Sequence, residues 1–224
     1  PGKFAAENFR TLVEQQPLAR AMTNSFIYAI AVTIICLFIC SLAGYGFEIY
    51  HDKWKDKLFS ILLLAMMVPQ VATMIPLFQM FSAAKLLNTA VGFFLPMIST
   101  PFMIMMFRQN ARAFPVDIIE AARIDGLNEV QIFFRMFFPT MRSTYAAAAV
   151  ITFMNAWNAY LWPKVIMTDG KSLNMVMLIA NTIGGYKIDY GMIMMGVLFC
   201  SIPTMLVFFI LQKQLAEGIT GAVK

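Results

Sequence analysis

The chain has 224 residues, of which 60% are hydrophobic and only 13% charged, with a mean hydropathy of +0.71. A soluble domain carries roughly 45–50% apolar and about 25% charged residues, and a folded chain keeps much of its surface against its solvent, so a water-soluble fold is excluded and the solvent must be lipid. The net charge of +5 reads as membrane topology and contact with anionic lipid; nucleic-acid binding is a poor alternative, because the basic residues are scattered over loops.

A membrane span needs about 20 apolar residues, and an ionised side chain at the bilayer centre costs at least about 2.5 kcal/mol. Charge-free stretches therefore mark the spans. Five occur, bounded by Arg20 and Glu48, Lys57 and Lys85, Lys85 and Arg108, Arg142 and Lys164, and Asp189 and Lys213. They predict an all-α polytopic helix bundle, one transmembrane domain over 1–224, with spans at about 24–47, 58–82, 88–107, 143–163 and 190–212. Lys and Arg number ten on the side holding 108–142 and the C-terminus, against seven on the other, so the positive-inside bias makes the first side cytoplasmic. No charge is expected inside the bundle, and inverted repeats are not visible. Both disfavour a self-contained secondary transporter or channel.

In chain order, Phe4 to Arg20, with Pro17, reads as an external interfacial stretch. Cys36, Cys40 and Cys200 read as small buried hydrophobes, since a zinc site needs further ligands. Gly44, Gly46 and Gly196 allow close helix approach, and His51 reads as a solvated loop residue. Pro69, Pro76, Pro96, Pro101 and Pro203 fit spans that kink or unwind. No paired carboxylates, triad spacing or nucleophile elbow is visible, so no enzyme activity and no metal site are read from the chain.

The loop at 108–142 is expected to hold two short helices outside the bilayer. Asp117 can cap the first, with Glu120 completing a capping box, and Asp125-Gly126 offers the left-handed turn that ends it. Asn128 with Gln131 repeats the capping pattern, and Pro139 limits the second helix. Ile118, Ala121, Ala122, Ile124, Val130, Phe133, Phe134 and Phe137 leave more apolar surface than a free loop carries. Two readings follow: an elbow parked on the membrane, or a docking surface where Ala121 and Ala122 admit a partner while Glu120, Arg123 and Asp125 set its register.

In the fourth span, Thr152, Asn155, Asn158 and Trp162 lie close to one helical face. Polar side chains in lipid must face protein or water, so the face is either interhelical glue, worth roughly 1 kcal/mol per bond, or the lining of a pathway suited to a neutral sugar. The segment at 164–189, with Asp169-Gly170 and Gly184-Gly185, is polar and turn-rich. Gly170, Lys171 and Ser172 end like a phosphate-binding loop, but Val165 stands where its first Gly is required, so any ATP is bound by another chain. The residues after Gln212 read as a small-residue, flexible end.

The string EAARIDGLNEVQIFFRMFFP resembles the EAA loop of integral-membrane subunits of binding-protein-dependent ABC importers: EAA, three residues, Gly, nine residues, then Ile, any residue, Leu-Pro. Glu120, Ala121, Ala122, Gly126 and Pro139 are in register, while Met136 and Phe138 replace the usual Ile and Leu. Asn24-Ser25, Met67-Val68-Pro69, Trp157 to Pro163 and Gln212 to Lys224 are similar to the shorter permease of maltose-type carbohydrate importers. The resemblance implies a type I importer permease fold in a bacterial or archaeal inner membrane, with six spans, the first preceding Pro1. It implies an ATP-binding cassette ATPase dimer that carries ATP and Mg and is docked through Glu120 to Gly126, and a tail that reaches it through Gly218, Thr220, Gly221 and Ala222. It further implies a second permease and an extracytoplasmic solute-binding protein, for which 164–189 is the expected surface. An importer of amino acids, peptides or oxyanions with the same loop remains the alternative.

Overall fold

The computed structural model describes residues 4–183 and 188–220, and among them it is helical without a β-strand. The stretch at 4–20 forms α1 (Ala5–Gln15), an amphipathic helix that buries Leu12 and leaves Phe4 and Val13 exposed. The first predicted span is a single 32-residue helix, α2 (Leu18–Ile49). Asp52 caps α3 (Lys53–Ala65), its carboxylate accepting from the Trp54 and Lys55 amides at 2.9 and 2.8 Å.

The second and third predicted spans are each broken. Helix α3 stops at Ala65 and α4 (Gln70–Ala83) begins after Pro69, which lacks an amide hydrogen and forces Val68 out of the helical region. Helix α5 (Ala90–Phe94) tightens into a 3-10 turn at Leu95–Met97, and α6 (Pro101–Ala111) restarts behind the Thr100 cap. The 108–142 loop carries α7 (Val116–Ile124) and α8 (Glu129–Ile132), which runs through a π-helical turn at Phe133–Phe137 into α9 (Phe138–Thr140). The wide turn lies immediately ahead of Pro139, whose ring would crowd the Arg135 carbonyl in a regular helix. Pro139 thus shapes the second loop helix where it was expected to end it.

The fourth predicted span divides into α10 (Arg142–Trp157), of 16 residues, and α11 (Leu161–Ile166). The segment expected to be polar and turn-rich holds an apolar helix, α12 (Met175–Ile183), with Met175, Met177 and Leu178 buried; Gly184 and Gly185 lie outside the described residues. The last helix, α13 (Tyr190–Thr220), passes Pro203 and continues beyond 212, where an irregular tail was expected. By length and composition, α2 and residues 190–210 of α13 can each cross a membrane, and up to four spans result if the two bent pairs each count as one.

The chain divides into two compact units. The first comprises 4–33, 70–97 and 152–210, with Phe93, Trp157, Ile166, Met167 and Met177 at the centre of its core. In it the Trp162 indole donates to the Gly92 carbonyl at 3.0 Å and the Trp157 indole to the Cys200 carbonyl at 3.0 Å. Asn24 holds the Lys171 and Leu173 carbonyls, both at 2.9 Å, and Asn88, with φ of 59°, accepts from the Thr168 and Asp169 amides at 2.7 and 3.1 Å. The second unit, from 34–69, 98–151 and the end of α13, centres on Cys36, Cys40, Phe107, Ile119, Ile132 and Phe137.

Candidate functional site

The second unit builds the 108–142 loop on an aromatic floor. Tyr45 of α2 meets Phe133 and Phe137 edge-on, at ring separations of 5.4 and 4.8 Å, and Ile119, Ala122 and Ile132 fill the same cluster. Helix α7 is therefore two-faced. Ile119 and Ala122 point inward, while Asp117, Glu120, Ala121 and Ile124, at i, i+3, i+4 and i+7 on one helical face, are exposed, with Ile124 at 87%. Of the two alanines expected to admit a partner, only Ala121 is free to do so; Ala122 belongs to the loop's own core. Phe133 and Phe137 are likewise buried, whereas Ile118, Val130 and Phe134 remain exposed.

The loop's turns follow from local chemistry. Asp117 stands in the first turn of α7 and the cap position falls to Pro115, so the expected Asp117 capping box does not form. The helix starts two residues earlier, behind Pro115, which has no amide to satisfy and is extended there. Gly126 adopts φ of +81° behind Asp125, and the second box is complete: the Gln131 amide donates to Asn128 and the Asn128 amide to Gln131, each at 2.9 Å. Arg123, expected to face a partner, is exposed and donates from Nε to Glu129 Oε1 at 2.9 Å, and Tyr50 donates its hydroxyl to the same carboxylate. The Tyr50 and Arg123 bonds hold the Glu129 carboxyl below its usual range; desolvation, with the Glu129 bond, raises the Tyr50 phenol and keeps it a donor.

Charge sorting alone missed a second cluster. Arg108 is only 7% exposed, against the expectation of no buried charge. Its Nε donates to Glu48 at 3.0 Å and its terminal nitrogen to Asp56 at 2.6 Å, with the Phe59 ring 4.3 Å from the guanidinium carbon. The signal was present in the sequence as two acids and one Arg at the edges of three separate charge-free stretches. Only the fold brings them together.

The four residues expected to share a face in the fourth span do not, because the helix ends at Trp157. Asn155 and Asn158 are exposed, and the Asn158 amide nitrogen donates to the Met154 carbonyl at 2.9 Å. Thr152 is buried with no hydrogen-bond partner for its hydroxyl among the described residues. Trp162 sits on α11, buried and bonded to Gly92. Nearby in this first unit, Tyr160, Val176, Ile179, Ile183, Cys200 and Ser201 line an apolar cavity of about 430 Å³. Gly218 and Thr220 fall within the α13 backbone, and Gly221 and Ala222 lie outside the described residues.

Residues 37–221 match the model of the family described as binding-protein-dependent transport system inner membrane component. The chain is 41% identical over 223 residues, its full length and 82% of the relative, to a lactose transport system permease protein of Rhizobium radiobacter. It is 32% identical, over 90% of its length and 72% of the relative, to an arabinooligosaccharides transport system permease of Bacillus subtilis. An sn-glycerol-3-phosphate transport system permease of Pectobacterium atrosepticum is 28% identical over 93% of this chain and 75% of the relative. Among solved structures, the fold is similar to a bacterial ABC transporter involved in the import of the acidic polysaccharide alginate, with a TM-score of 0.83, 18% identity and coverage of 92% of this chain and 78% of that one. A second likeness, to the inward-facing MetNI methionine ABC transporter, has a TM-score of 0.65, 15% identity and coverage of 94% and 97%.

Proposed function

Because this chain belongs to the family of inner membrane components of binding-protein-dependent transport systems, a transport component and not an enzyme, we propose that it is a permease of an ATP-driven carbohydrate importer. It forms the translocation pathway with a second permease, receives substrate from an extracytoplasmic binding protein, and is driven by a separate ATPase dimer that holds ATP and Mg. The sugar assignment is supported by the lactose permease at 41% identity and the arabinooligosaccharide permease at 32%.

The observation that carries the ATPase contact is the two-faced α7. One side is packed into the chain's own aromatic floor, and the other presents Glu120, Ala121, Ile124 and Asp125 outward with an isoleucine 87% exposed. An apolar centre ringed by charges suits a shape-fitted contact, and a short helix held rigidly from below passes on motion as a body. Asn155 and Asn158 are the exposed members of the polar set and the proposed share of this chain in the sugar path, their amides matching hydroxyl groups. The break at 158–160 leaves backbone that must face protein or water within a membrane, which suits a lining role. The tail's Gly218, Thr220 and Gly221 are proposed as a further ATPase contact, and the 164–189 segment as the surface met by the binding protein.

Reconstitution with the partner permease, ATPase and binding protein tests the reading. ATP hydrolysis should rise with sugar-loaded binding protein, and Glu120→Lys should leave membrane insertion intact while uptake falls. Normal uptake by that variant removes α7 from the coupling role. Stimulation by an amino-acid- or oxyanion-loaded binding protein, with none by sugars, replaces the substrate class.

A further inference from the structure

We propose that Arg108 is a positioning residue for coupling: it locks α2 and α3 onto α6 in one arrangement, so that motion received by the loop reaches both helices together. The proposal rests on the reading of α7 as the ATPase contact. Arg108 is the one buried charged side chain among the described residues, and its two carboxylate partners come from two different helices, Glu48 at 3.0 Å on α2 and Asp56 at 2.6 Å on α3. Close approach makes this possible. A Cβ on Gly44 would lie 2.6 Å from the Phe107 Cβ and 2.7 Å from the Arg108 amide nitrogen, so only glycine lets α2 lie against α6 at that level.

Burying a charge does not in general stabilise a fold more than apolar packing would. What a planar guanidinium adds is direction: its donors point along fixed lines, and two carboxylates on separate helices can satisfy it in few arrangements. Apolar contacts alone permit sliding. The Phe59 ring over the guanidinium, 4.3 Å from its carbon, closes another side. One turn further, Arg112 reaches Glu48 at 3.5 Å, and the chain then enters α7 within four residues, 112–115. Arg108 thus stands at the root of the docking loop, with one donor on each helix it serves.

The test uses the complete importer in proteoliposomes, with Arg108→Lys, Asp56→Asn, Glu48→Gln and Gly46→Ala, the last altering α2 where a Cβ meets nothing within 4 Å. Yield and thermal stability of the assembled complex are measured beside substrate transported per ATP hydrolysed. Lys keeps the charge but lacks the planar fork that fixes the direction of each bond, and the two amides keep shape without charge. The expected result is assembly near the wild-type level, ATPase activity still stimulated by loaded binding protein, and a transport-to-hydrolysis ratio lowered about threefold or more, with Gly46→Ala unchanged. An unchanged ratio in the three polar variants overturns the proposal, and so does a failure of all three to assemble, since Arg108 would then act on the fold alone. A wild-type complex whose hydrolysis ignores the loaded binding protein refutes the importer reading itself.

Discussion

Gly126 provides a perturbation whose size can be worked out from backbone geometry alone. Its φ is +81°, and a Cβ built on it meets nothing within 4 Å, so a substitution pays no steric toll against neighbours and only the dihedral is strained. An L-residue held in the left-handed region costs about 1–2 kcal/mol, which at room temperature shifts the turn's equilibrium by roughly 5- to 30-fold. Asn tolerates this region and loses only a fraction of that, while a β-branched residue loses more. The expected order of turn stability is therefore Gly, Asn, Ala, Val. Hydrogen exchange of the amides from Ala121 to Gln131 reads the turn, and uptake per ATP reads its consequence for coupling, which should fall in the same order. Full protection of the Val variant would refute the reasoning. So would an Asn variant as damaged as Val, because side-chain bulk against a partner would then be the cause.

Gly44→Ala should destabilise the protein by about 1–3 kcal/mol, because its Cβ meets the Arg108 backbone at 2.7 Å and the two helices must part; a lowered melting temperature in detergent checks this. Glu129 gives a pH dependence with a definite sign. The Tyr50 and Arg123 bonds hold its folded carboxyl below the ordinary value of 4.5, so its contribution is complete above that value and is lost as pH falls through the folded one. Protease resistance of the loop should stay level down to about pH 5 and decline in more acid solution, by a small amount because the pair is half exposed. Glu129→Gln should flatten the profile.

The helical class, the two short helices at 108–142 and two of their turns were legible because each depends on neighbours in sequence. Gly126 after Asp125, and the Asn128–Gln131 box, are such cases. Hydropathy marked where lipid lies but not whether a stretch is one helix. Pro69 interrupts the second stretch, whereas Pro76 and Pro203 sit inside continuous helices; the difference lies in packing that no window of residues contains. The Arg108 cluster and the inward turn of Ala122 were hidden for the same reason. A charge at the edge of a span and an alanine in a motif reveal their partners only when distant segments meet. Trp162 shows the converse: its register with Asn155 assumed a helix that stops at Trp157.

The π-turn at Phe133–Phe137 makes the loop's length a matter of phase. A regular helix advances about 100° with each residue, so the wide turn absorbs one residue of rotation between the capped start of α8 and Pro139. Removing a single residue there would return the stretch to regular winding with Pro139 and Thr140 near their present angle, whereas the same deletion from the regular part of the helix would swing them by about 100° around the axis. The spacing between the Gly and Pro of the loop is therefore an angular setting as well as a distance, and an insertion, or a deletion outside the wide turn, should be tolerated far less well than a single deletion within it.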